Sequence, residues 1–285
     1  MKFYTSVLPY RGRLLVRGVD KDGTQKKYRI NYKPSLFVPV GKETKYKTLD
    51  GRNVERIKFD SMPEATKWVN EYKNVTNFEY FGNTRHQYPF IAEEFEGKID
   101  WDMNQIKLLS IDIECESENG FPSPEKADQP LICITVKDHT TKKIIVFGMG
   151  NFVNDREDVQ YINCVTETGL VETFTKFWVE YNPDIITGWN VKFFDIPYLM
   201  NRFRYLMGDE WLNQFSPWGI VEQKSASVLF ASREQQVWNI MGVDTLDYLD
   251  LYRKFTFVRR ESYKLDYIGE VELGQNKLEN PYDTF

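Results

Sequence analysis

Ser110-Ile111-Asp112-Ile113-Glu114 sets two carboxylates one residue apart inside an apolar run. A β-strand turns alternate residues to opposite faces, so Asp112 and Glu114 share one face while Leu109, Ile111 and Ile113 fill the other. Two acids at the end of a buried strand repel each other and lose hydration, a cost tolerated mainly where a cation neutralises them. Oxygen ligands for a hard divalent cation are presented in this way. A solvated strand end would show the same two side chains, and the dyad alone does not choose between the two. Downstream, Gly188-Trp189-Asn190-Val191-Lys192-Phe193-Phe194-Asp195 brings a third acid, which by itself is also a good N-cap for a helix opening at Ile196-Pro197. The only histidines are His86 and His139, and Cys115, Cys133 and Cys164 lack metal-ligand spacing. Zinc chemistry and a serine or cysteine triad therefore lose most of their support. Any catalysis falls to carboxylates.

These side chains need a scaffold, and 285 residues with 41% hydrophobic content predict two domains with ample core. Residues 1–103 form an α+β domain: three strand-like runs, Phe3–Leu8, Arg13–Val19 and Ser35–Val40, precede a helix from about Pro63 to Tyr72. Asp60 or Ser61 can cap that helix, Ala65, Trp68, Val69 and Tyr72 make its apolar stripe, and Glu93–Lys98 reads as a connector. Residues 104–285 carry a buried strand at Ile106–Glu114, then strands at Leu131–Val136, Lys143–Gly148 and Asp184–Trp189. Helices are expected across Leu170–Tyr181 and Pro197–Met207, and a β-hairpin across about 220–242 with Leu229, Phe230 or Ala231 near its tip. This order predicts an α/β protein whose second domain is a mixed sheet with flanking helices.

Residues 1–60 hold 15 Lys/Arg against 6 Asp/Glu, although the whole chain is at −5, so the N-terminal segment attracts polyanions. No apolar run reaches the length of a membrane span, and Met1-Lys2-Phe3-Tyr4 opens without a signal-peptide core. Three cysteines, an odd number, suit a reducing compartment. The expectation is a cytoplasmic protein with no membrane partner.

Taken in order, Asp112-Ile113-Glu114, Asn190–Asp195 and Thr245-Leu246-Asp247-Tyr248-Leu249-Asp250-Leu251-Tyr252 resemble the 3′→5′ proofreading exonuclease domain of family B DNA polymerases, in the manner of T-even-type bacteriophage replicative polymerases and their relatives. Tyr32–Phe37, Gly120-Phe121-Pro122, Gly188–Val191 and Ser262–Ile268 match the same group, and the likeness covers essentially the whole chain. The resemblance implies an RNase H-like exonuclease domain whose Asp112, Glu114 and Asp195 hold two divalent ions, Mg²⁺ or Mn²⁺, for in-line hydrolysis of the primer 3′ terminus. It implies that Asp112 bridges the ions, that Phe121 and Trp189 wall in a frayed single strand, and that Asn190 bonds its terminal nucleotide. Phe230 and Arg233, at the hairpin, would help part primer from template. Ordinary core packing is an equal reading for Trp189. Asp244, Asp247, Asp250 and Asp266 read mainly as caps and solvated positions, with Asp247 and Asp250 on one helical face if that segment is helical.

The family's third exonuclease motif, a Tyr three or four residues before a metal-binding Asp, has no convincing match, and the polymerase palm and fingers motifs are missing. The resemblance therefore implies the N-terminal piece of a split polymerase or a truncated piece of a longer one, with DNA as substrate and a second polypeptide supplying the last ligand and the polymerase domain. On its own, such a chain should cleave weakly or not at all. Two other readings stand beside this one: a free-standing RNase H-like nuclease, which needs a fourth acid here, and a non-catalytic nucleic-acid-binding module that uses residues 1–60.

Overall fold

The computed structural model describes residues 1–117, 120–227 and 234–278. Its packing separates two units, Met1–Gln105 and a second beginning at Ile106.

The first unit opens with β1 (Phe3–Tyr10), β2 (Arg13–Val19) and β3 (Gln25–Ile30) in one antiparallel sheet. β4 (Ser35–Pro39), β5 (Tyr46–Lys47) and β6 (Asn53–Lys58) make a second sheet in the order β4-β6-β5. Asp22-Gly23 turns β2 into β3, with Gly23 at φ +83° and the Asp22 carboxylate accepting the Thr24 N–H at 2.9 Å. α1 (Met62–Tyr72) is capped by Ser61, whose Oγ accepts the Glu64 N–H, while Glu64 reaches back to the Asp60 N–H at 2.7 Å. Of the two candidate caps, Ser61 is the one used. Three of the four expected stripe residues pack inward, Ala65 fully buried with Leu36 and Phe59 and Trp68 and Val69 lying against them, whereas Tyr72, at the last turn, is 37% exposed with its ring 4.9 Å from that of Trp68.

α2 (Gln87–Glu94) is an element that sequence reading missed. Glu93 and Glu94 belong to this helix rather than to a connector. Pro89 and flanking charges hid it, and what fixes it is tertiary: Phe90 buries against Val7, Leu14 and Met62.

The second unit is built on a six-stranded mixed sheet in the order β10-β9-β8-β7-β11-β14. Its strands are β7 (Leu108–Cys115), β8 (Leu131–Asp138), β9 (Ile144–Gly148), β10 (Val159–Asn163), β11 (Ile185–Gly188) and β14 (Asp244–Asp247). β7–β8–β9 pair antiparallel, and the β10–β9, β11–β7 and β11–β14 pairs are parallel. α3 (Glu167–Tyr181) and α4 (Asp195–Met207) cover this sheet through Leu170, Phe174, Trp178, Leu199 and Phe203. α3 ends at Asn182 in the left-handed region, one residue before Pro183. The expected mixed α/β architecture holds, with β10 added to it. One buried ion pair ties the layers together. Arg202 of α4 grips Glu167 through Nε and Nη2, both at 2.7 Å, while Glu167 Oε1 also accepts the Leu131 N–H that opens β8.

After α5 (Asp209–Leu212), β12 (Val221–Ser227) and β13 (Glu234–Ile240) pair from Val221↔Ile240 to Ser227↔Glu234, giving the expected hairpin. Its tip, including Leu229, Phe230, Ala231 and Arg233, lies outside the described residues. α6 (Tyr248–Phe255) and α7 (Leu265–Leu273) complete the unit. Among the described residues, no helix is long and apolar enough to cross a membrane. The three cysteines are free.

Candidate active site

β7 presents its acids as strand alternation dictates. Leu109, Ile111 and Ile113 are buried in the core, whereas Asp112 and Glu114 keep solvent contact on the opposite face. β11 pairs with β7 only as far as Thr187↔Ser110. Beyond that point, the flank of β7 that a strand would have covered receives the N-terminus of α4, and Asp195 Oδ1 accepts the Ile113 N–H at 3.3 Å. Asp195 is thus not an N-cap. It is the first residue of α4, the cap position belongs to Phe194, and the carboxylate turns toward β7. Gly188 permits the approach, because a Cβ there would meet the Ile111 carbonyl oxygen at 2.7 Å.

Asp112 acts on both of the other acids. Asp195 is only 4% exposed, and burial, then Asp112, push its carboxyl up from the ordinary 3.8 to about 7. Glu114 is pushed up by burial and then by Asp112, and Asp112 itself by burial. Asp112 is the carboxylate common to both neighbours. An all-oxygen cluster in which ionisation is resisted is chemically suited to a hard divalent cation, which would relieve that resistance. Among the described residues, however, no group of three His, Cys, Asp or Glu side chains is drawn together tightly enough to hold an ion.

The direction of these shifts fixes a pH dependence. The folded protein binds the Asp195 proton more tightly than the unfolded chain does. Its contribution to stability is therefore complete below its unfolded value and is lost as the pH rises through about 7. In chelator-treated protein, the urea midpoint is expected to fall between about pH 5 and about pH 8, and Asp195→Asn should flatten that slope. A slope unchanged in the variant would remove Asp195 as its source.

Beside the acids lies a cleft of about 620 Å³, whose walls include Phe121, Trp189, Asn190, Tyr263, Asp266 and Lys277. Phe121 is 85% exposed, with its ring 5.3 Å from that of Phe194. Trp189 is committed to the wall: its indole N–H donates to the Tyr263 carbonyl at 3.1 Å and its ring packs on Tyr252. Asn190 stands at φ +64°, a left-handed conformation that Asn tolerates better than most residues. Phe230 and Arg233 cannot be placed, since both lie outside the described residues.

Two participants escaped sequence reading. Lys277 lines the cleft, and its charge lowers the pKa of both Asp112 and Glu114. Nothing in its polar surroundings marked it. Asp247 is not solvated but 4% exposed, and it lies at the end of β14 rather than on a helical face with Asp250. It does cap α6, accepting the Leu249 N–H at 2.9 Å, and it also accepts the Asn190 and Lys192 N–H groups, each at 3.0 Å. Asp250 pairs with Lys192 Nζ at 3.3 Å, and Asp266 accepts the Lys277 N–H at 2.6 Å. Asp247 is thus engaged by three backbone N–H groups, and its charge also contributes to the raised pKa of Asp195.

Residues 64–268 match the family model for the exonuclease domain of family B DNA polymerases. The DNA-directed DNA polymerase of Escherichia phage RB69 is 30% identical over 304 residues, covering 97% of this chain and 33% of that protein. The DNA-directed DNA polymerase of Enterobacteria phage T4 is 28% identical over 99% of this chain and 34% of its own length. The DNA polymerase delta catalytic subunit of Candida albicans is 31% identical over 61% of this chain and 17% of that protein. The chain spans about a third of the length of the phage relatives it matches.

Proposed function

Because the chain belongs to the family B DNA polymerase exonuclease-domain family, we propose that it is the proofreading part of a replicative polymerase and hydrolyses the 3′ terminus of a primer strand. What supports this is the electrostatic effect of Asp112 on both Glu114 and Asp195, with a cleft that holds Phe121, Trp189 and Asn190 beside them. Asp112, Glu114 and Asp195 would hold two divalent ions, Mg²⁺ or Mn²⁺, and such ions, when bound, supply Lewis acidity at a scissile phosphodiester.

The chain's own residues do the rest. Phe121 offers an exposed ring against which an unpaired base can stack, a contact that tolerates any sequence. Asn190, its backbone pinned by Asp247, turns into the cleft to meet the terminal nucleotide. Lys277 favours the ionised forms of Asp112 and Glu114, and so the forms able to bind cations.

A further acid, the palm, the fingers and the thumb come from polymerase sequence outside these 285 residues, on a second polypeptide or on the same one. The lack of a convincing third exonuclease motif among the 285 residues supports this, and the isolated chain is expected to cleave weakly or not at all. Residues 1–60, with their excess of Lys and Arg, supply sequence-independent attraction to the template. The work is done where DNA is replicated, in the host cytoplasm if a phage encodes the chain.

The test uses a 5′-labelled primer–template and the polymerase that contains this segment. A mismatched 3′ end should shorten one nucleotide at a time, faster than a matched end, and only with a divalent cation. Shortening from the 5′ end, or shortening in chelator, would refute the assignment.

A further inference from the structure

The twelve residues from Arg253 to Lys264 hold five Lys/Arg and one acid, Glu261, whereas the rest of the second unit holds 13 Lys/Arg against 27 Asp/Glu. Three aromatic residues, Phe255, Phe257 and Tyr263, are set among those cations. The run comprises the end of α6 and the loop that carries the chain to α7. Both of its ends belong to the wall of the cleft beside the acids, through Arg253 at one and Ser262, Tyr263 and Lys264 at the other. The residues between them are not in that wall. Phe255 is 65% and Phe257 98% exposed, and Lys254, Val258 and Arg259 are exposed as well.

Two of the arginines hold the loop in shape. Arg260 donates through Nε to the Tyr252 hydroxyl at 3.0 Å and pairs with Glu272 of α7, and the Arg253 guanidinium lies 4.4 Å over the Tyr263 ring. Lys254 and Arg259 are left facing water. The negative end of the α6 dipole accounts for Lys254. It accounts neither for Arg259 nor for two phenylalanines kept in solvent, and exposed apolar surface rimmed by charge marks a place of contact. Cations interleaved with exposed rings suit a single-stranded nucleic acid. Its phosphates meet the cations, and its bases offer the faces that a duplex keeps stacked on one another. An apolar protein partner would not call for a local reversal of charge in an acidic unit.

We propose that this rim holds the unpaired strand as it runs into the cleft, with Lys254 and Arg259 on phosphates and Phe255 and Phe257 stacked on bases upstream of the terminal nucleotide. The direction of the strand rests on the exonuclease reading, whereas the affinity of the rim for a single strand does not.

The polymerase that contains this segment, carrying Asp112→Ala/Glu114→Ala so that the strand survives, is irradiated with oligothymidylates in which one 5-iodouracil is moved stepwise inward from the 3′ end. Mass spectrometry should place crosslinks on Phe255 or Phe257 from internal positions. Lys254→Ala/Arg259→Ala should weaken the binding read from that crosslink about tenfold and make its dependence of log affinity on log salt shallower by about 1.4, the value for two phosphate contacts on a single strand. Both side chains are exposed, so the variant keeps its fold. No crosslink within residues 254–259 from any position, the result if another part of the polymerase covers the rim, overturns the proposal. A crosslink from the 3′-terminal position alone, or a salt dependence unchanged in the variant, overturns it too. Internal crosslinks at the rim of a polymerase whose wild type never shortens a 3′ end would uphold the strand-binding surface and remove the exonuclease reading alone.

Discussion

Asp195→Asn is expected to lower the rate of 3′ hydrolysis about a thousandfold in the polymerase that contains this segment, while leaving the protein folded. The amide keeps an oxygen for the Ile113 N–H and fills the same volume, so the approach of α4 to β7 survives. What disappears is a negative charge beside Asp112, in a place that resists ionisation and that a cation would neutralise. The loss should fall on kcat, because Asp195 is buried behind the cleft and is not among its lining residues. The same variant should be more stable than wild type in chelator at about pH 8, where wild type holds a buried, unpaired carboxylate. Single-turnover hydrolysis and urea unfolding check the two halves. A rate within about threefold of wild type would exclude Asp195 from the chemistry.

Asp247→Ala is expected to destabilise the second unit by about 3 kcal/mol, through three buried or part-buried backbone N–H groups left without their acceptor. The change acts in two places. α6 loses its cap, and the loop from Asn190 to Lys192 loses the two bonds that its N–H groups make to Asp247. With Asn190 no longer held at φ +64°, affinity for single-stranded DNA should fall as well. Asp247→Asn can still accept from two of the three groups but turns its NH₂ against the last, so it should recover about half of the lost stability. Urea unfolding followed by tryptophan fluorescence measures both variants. A cost below about 0.5 kcal/mol for the alanine variant would mean that water replaces the carboxylate and that the clamp is dispensable.

The contrast between these two aspartates shows what could be read from sequence. Asp112 and Glu114 announced themselves because strand periodicity is local: alternation around an apolar run fixes which way they point before any partner is known. The helices α1 and α3 were legible for the same reason, each with an apolar stripe and a cap or stop signal at its end. Asp195 was legible as a residue and not as a geometry. Its neighbours favour an N-cap, yet β11 stops at Gly188 and leaves the Ile113 N–H open to a side chain eighty residues further along. Asp247 misled because its local sequence suits a helix face, while its environment is set by the parallel β11–β14 pairing that seats Gly188 opposite Asp247. α2 was hidden in a charged, proline-containing stretch, where packing of Phe90 decides the structure. Lys277 acts through space on carboxylates far away in sequence, a relation that no spacing rule encodes.

The electrostatics also bear on why this segment should be quiet by itself. Asp112 raises the pKa of both Glu114 and Asp195, and Lys277 offsets only part of the cost of ionising Asp112 and Glu114. Completion by a further acid would raise cation affinity at the cost of more repulsion in the empty site, which suits a centre assembled late, with ions and DNA present.

The most direct measurement is the divalent-cation-dependent shortening of a 5′-labelled single-stranded oligonucleotide by the polymerase that contains this segment, wild type beside Asp112→Ala/Glu114→Ala. A one-nucleotide ladder from the 3′ end is expected in wild type and its absence in the variant. A ladder of equal rate in the variant would contradict it and move the chemistry away from β7.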